Sequence, residues 1–112
     1  MVKDFELFKK EFKKWQDKFG LNGWVVYFKY EQLEDSFASS STDINGMVAT
    51  IKLNSKLPNK DKPFKNIKRS AKHEALHLLL ARMSCNAYAR FVSKDDLYES
   101  EEELVHKLEG LL

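Results

Sequence analysis

The chain reads as one α+β domain in which a helix precedes three strands and two helices follow them. Three observations predict this. Aromatic residues repeat at alternating steps of three and four across the first nineteen positions. Asn45-Gly46 separates two extended segments, the strongest short-range hairpin signal. After Pro63 the apolar residues return to helical spacing. A length of 112 residues allows a single domain, and fourteen Phe, Tyr and Trp residues within a 43% apolar composition supply the bulk of a core. Such side chains argue against intrinsic disorder.

Phe5, Phe8, Phe12, Trp15 and Phe19 form one apolar stripe on a helix from about Lys3 to Lys18, ended by Gly20. The stripe is read as core, covering one face of a sheet. Trp24 to Tyr30 is aromatic and β-branched and predicts a strand. Phe37 to Asp43 and Met47 to Leu53 form the hairpin arms, and Met47, Ala49, Ile51 and Leu53 share one face. The first arm, with its small residues Ala38 to Ser41, is the weaker of the two. Asn54 to Pro63 holds both prolines and is a loop. A helix is expected from Phe64 to about Met83, and a last one from about Asp95 to Leu111 with Ser93 or Asp95 as its N-cap. Ser84 to Val92 is ambiguous. The expected sheet is three-stranded and mainly antiparallel.

Charge is uneven although the net is only +2. Lys52 to Lys72 contains eight Lys or Arg against Asp61 alone, a local excess of +7. Lys94 to Leu112 sets two Lys against seven acids, a local −5. Such segments ordinarily pair with each other or solvate their own faces. Nucleic acid is a weaker alternative partner for the basic one, supported by charge alone. The longest apolar run, Leu78 to Ala81, is far short of the roughly 20 residues a bilayer span needs. The charged start of the chain lacks the pattern of a secretory signal. Cys85 is the only cysteine, which excludes an internal disulfide and a thiolate zinc cluster. A cytoplasmic protein without membrane association is expected.

His73-Glu74-Ala75-Leu76-His77 carries the chemistry. Histidines at i and i+4 project about 40° apart from one helix face, so two imidazole nitrogens reach one ion. Glu74 between them is placed to receive a proton from an activated water. Phe64, Ala71, Ala75 and Leu78 form one stripe nearly opposite the histidines, while Leu76, Leu79 and Leu80 fill most of the remaining circumference. The helix is therefore expected to be buried on nearly every side.

Zinc in a catalytic site takes three protein ligands and leaves a position open. A histidine six residues beyond His77 is excluded, since position 83 is Met83, with Leu80 where a glycine would precede it. His106, the remaining histidine, lies about 160° from the centre of the last helix's leucine stripe and should face solvent. A carboxylate is the better candidate. Glu101 sits among Leu97, Leu104 and Val105, inside that stripe, where a carboxylate is rare unless paired or coordinating. Glu101 is the expected third ligand and Glu102 the next candidate; Glu99, Glu102 and Glu103 otherwise read as solvated.

With a histidine pair on a leucine-rich helix and a glutamate on the next, the chain resembles the gluzincin-type zinc metallopeptidases, in particular the minimal, phage-type metallopeptidase-like proteins. The resemblance covers about Trp24 to Leu112 and rests mainly on His73-Glu74-xx-His77, with Glu101-Glu102 before Leu104-Val105. It implies a zincin-like fold, Zn2+ held by His73, His77 and Glu101, and Glu74 as general base. It also implies an extended peptide paired to the strand nearest the motif helix, which would be Met47 to Leu53. Two departures matter. Position 105 is valine where larger relatives of this type place an aspartate that orients a histidine, and the eighteen-residue spacing of some aminopeptidases falls on Asp96, an alternative ligand. Tyr88, Arg90 and Tyr98 are near in sequence, but none is assigned to stabilise a transition state.

The function expected from these residues is zinc-dependent hydrolysis of peptide bonds in a peptide or protein substrate. The alternative is a catalytically inactive or regulatory zinc-binding protein of the same fold. A protease acting near nucleic acid through the basic segment is the third reading.

Overall fold

The structure, a computed structural model, describes residues 2–89 and 91–111. The aromatic stripe folds as α1, Val2–Lys18, with Phe8 and Phe12 entirely buried. Gly20 adopts φ +68°, a conformation that suits glycine, and the chain turns there toward the sheet. Gln16 fixes this turn from inside: its buried amide donates to the carbonyls of Leu21 at 3.0 Å and Trp24 at 3.2 Å.

Three strands follow: β1 Val25–Glu31, β2 Ala38–Asp43 and β3 Val48–Asn54. Their spatial order is β1-β3-β2, with β1 parallel and β2 antiparallel to β3. The sheet is therefore mixed, not mainly antiparallel. Burial explains the choice. Ala49, Ile51 and Leu53 on β3 are almost completely buried, whereas β2 is four small polar residues flanked by Ala38 and Asp43. The most deeply buried strand takes the centre, and the serine-rich strand takes an edge. Because β1 crosses to the far edge before the hairpin turns back, β3 returns alongside it in the same direction. Both edges of β3 are thereby paired, so Met47 to Leu53 has no edge to offer a peptide. The strand beside the motif helix with an open edge is β2.

The hairpin lies where Asn45-Gly46 predicts, but its turn differs. Asp43 Oδ1 accepts from the Asn45 and Gly46 amides at 3.1 and 3.3 Å, and the positive φ falls on Met47, at 53°. Met47 is displaced from the buried face its parity suggested and is exposed.

The expected helix from Phe64 to Met83 is divided. A 3₁₀ turn spans Lys62–Phe64, leaving Phe64 exposed, and α2 runs Ile67–Leu79. Asn66 caps it by accepting from the Arg69 amide at 3.0 Å. Leu80, at φ −91° and ψ 0°, breaks the axis before α3, Ala81–Tyr88, which occupies most of the ambiguous stretch. The last helix, α4, spans Lys94–Glu109; Ser93 and Asp96 form a reciprocal capping box at its start.

α1 and α2 pack against each other and cover one face of the sheet, while Val25 and Tyr27 on the other face are exposed. The basic segment pairs with α1 and β1, through Lys65–Asp4, Lys68–Glu11 and Lys52–Glu31, rather than with the acidic last helix. Among the described residues no helix is long and apolar enough to cross a membrane.

Candidate metal centre

Packing fixes the phase of α2. Ala71, Ala75 and Leu78 are buried, which turns His73, Leu76, His77 and Leu80 outward. The helix is thus open along its histidine face and not buried all round; Leu76 and Leu80 are 37% and 42% exposed. On that face the Nε2 atoms of His73 and His77 lie 3.2 Å apart, with their rings inclined at 74°. Two nitrogens bound tetrahedrally to zinc at about 2.0–2.1 Å stand roughly 3.3–3.4 Å apart, so the pair already spans one edge of such a site.

Glu74, between them in sequence, is buried. It is 5% exposed, and the Ser40 hydroxyl of β2 donates to its carboxylate. Loss of solvation raises its pKa above the ordinary carboxylate value; His73, His77 and the Ser40 hydrogen bond oppose that rise less strongly. Ser40 can serve because β2 alternates Ala38, Ser40 and Thr42 opposite Leu53, Ile51 and Ala49, on the sheet face that the helices cover. Small side chains there let α2 approach.

His73 and Glu74 line an open cleft of about 480 Å³, walled also by Phe37, Ala38, Phe64 and Arg69. The loop before β2 forms one side of it and is held by Asn54. That buried side chain donates to the Leu33 and Ser36 carbonyls at 3.0 and 2.9 Å and accepts from the Leu33 and Lys56 amides at 3.2 and 2.9 Å.

α4 presents a different face from the one its leucines suggest. Ser100 is its one fully buried residue, bonded to Asn86 of α3 and to the Asp96 carbonyl. Arg82 of α3 binds Glu99 and Glu103, each at 2.9 Å, and Lys107 reaches the Gly20 carbonyl at 2.8 Å. These polar contacts turn Glu101 outward. It is exposed, together with Leu97, Val105 and Leu108 of the same stripe, and so does not occupy the interior position expected for it. Asp96 is engaged in the capping box, and Glu102 lies 3.6 Å from His106, whose side chain faces solvent. Among the described residues no three His, Cys, Asp or Glu converge closely enough to hold a metal ion. Tyr88 and Tyr98 are exposed, and Arg90 lies outside the described residues.

Sequence reasoning missed Ser40, Asn54 and Arg69 as parts of this site. Parity along β2 carried a signal for Ser40; nothing local marked the other two. Comparisons with protein-family models, with curated proteins and with solved structures return no match.

Proposed function

We propose that the chain is a zinc-dependent metallopeptidase with a zincin-like fold, in which His73 and His77 hold the ion and Glu74 is the general base. The observation that carries this reading is the 3.2 Å Nε2 separation beside a buried carboxylate whose pKa burial raises. Two imidazoles suit zinc, and the exposed face leaves room for further donors. Glu101 would be the third protein ligand; the remaining sphere is not assembled in this arrangement.

Zinc, when bound, supplies Lewis acidity and brings a water's pKa toward neutrality. The chain's own residues do the rest. Glu74 accepts the proton lost by the attacking water and passes it to the departing amine nitrogen, roles that a pKa raised by burial favours. Ser40 holds the carboxylate in one orientation. An extended peptide would pair with the open edge of β2 and set its side chains against Phe37 and Phe64.

The outward position of Glu101 favours a second reading: a zinc-binding protein without peptidase activity. Metal content and cleavage of an unfolded peptide library separate the two. For the peptidase, the parent and Glu74→Gln should both retain about one zinc per chain, and only the parent should cleave. Zinc without cleavage by either protein would establish the second reading. Retention of no zinc would remove both.

A further inference from the structure

The seam between α1 and α2 carries a cluster that the histidine site does not use. Trp15 is partly buried, with its ring 5.5 Å from that of Phe19 and inclined to it at 33°. Three ammonium groups surround its ring: Lys72 Nζ at 4.7 Å from the centroid, Lys18 at 4.9 Å and Lys14 at 5.3 Å. Lys68, one turn before Lys72, extends the group. One carboxylate serves this side, Glu11, at 3.7 Å from Lys14 and 4.0 Å from Lys68. Among the described residues Lys18 and Lys72 have no carboxylate within 4.0 Å.

Four lysines facing one glutamate repel one another, and the indole offsets only part of that through its π face. Such a site favours a ligand carrying both negative charge and a flat ring. We propose that Trp15 with Lys14, Lys18, Lys68 and Lys72 is a contact site for single-stranded nucleic acid. A base stacks on the indole in place of the ammonium groups, which move onto the flanking phosphates. The basic segment containing Lys68 and Lys72 has one aromatic of its own, Phe64; α1 supplies Trp15 beside those two lysines in three dimensions. An acidic peptide would satisfy the charge and leave the indole without a stacking partner. The inference does not depend on the metal reading.

The test is titration of the full chain with a fluorescein-labelled oligothymidylate of about twelve nucleotides. Neutralising three or four phosphates predicts a log-log salt slope of about −2 to −3, a loss of roughly 20- to 50-fold in affinity between about 50 and 200 mM salt. Lys18→Ala/Lys72→Ala should reduce that slope by about 1.4 and weaken binding roughly tenfold at intermediate salt. The charge-matched pair Lys3→Ala/Lys60→Ala, placed elsewhere and also exposed, should bind as the parent does. The proposal is overturned by the absence of salt-sensitive binding at about 50 mM, or by equal losses in the two variant pairs. It is equally overturned if polyglutamate or anionic lipid vesicles displace the oligonucleotide at matched charge, which would assign the patch to an acidic protein or a membrane surface.

Discussion

His73 and His77 face each other across one turn of α2 with their Nε2 atoms 3.2 Å apart. That separation serves a neutral N–H···N hydrogen bond as well as one edge of a zinc tetrahedron, so the ion can replace the bond with little movement of either ring. Binding to the folded chain alone should stabilise it by mass action. At zinc one hundred times its dissociation constant the gain is about 2.7 kcal/mol, on the order of 10 °C in a domain of this size. Differential scanning fluorimetry of metal-stripped protein should record the rise, and His77→Ala should abolish it.

Glu74 makes the pH dependence distinctive. Its folded pKa is raised by burial, so between its unfolded and folded values the native state holds more protons than the unfolded state. Stability contributed by this group is therefore present at low pH and declines as pH rises through the folded pKa. In metal-free protein, Glu74→Gln removes that decline. The variant's stability advantage over the parent should be larger at pH 8 than at pH 5 in urea unfolding. An equal difference at the two pH values would contradict the buried carboxylate.

Substitutions one residue apart test the orientation of α4. Ser100 is 1% exposed and bonded on two sides, so Ser100→Leu should cost about 1–3 kcal/mol through overpacking. Glu101→Leu, on the exposed face, should change metal-free stability by less than about 0.5 kcal/mol. The same variant should nevertheless diminish the zinc-induced rise in midpoint if Glu101 is a ligand. Denaturation of each protein with and without zinc gives both numbers.

Asn54 holds the cleft wall through four hydrogen bonds to the loop before β2 and to Lys56. Asn54→Ala leaves buried backbone groups without partners and should destabilise the chain by about 2–3 kcal/mol. Hydrogen exchange should localise the added mobility to residues 33–37, with α1 protected as before.

What the sequence determined by itself are the features set by local periodicity and turn chemistry. The stripe of α1, the placement of β1, the hairpin around Asn45-Gly46, the spacing of His73 and His77 and the start of α4 near Ser93 or Asp95 all follow from neighbours within a few residues. Tertiary structure decided the rest. It placed β3 between β1 and β2, with Ala49, Ile51 and Leu53 buried under the helices and the serine-rich β2 at an edge. It divided the long helix at Leu80 and opened the histidine face of α2. It also turned Ser100 rather than Glu101 inward, since Asn86 and Arg82 hold α4 from a helix that its own leucine pattern cannot reveal. A side chain's direction on a helix is set by sequence; which direction faces the core depends on partners distant in the chain, and a sequence read locally does not contain them.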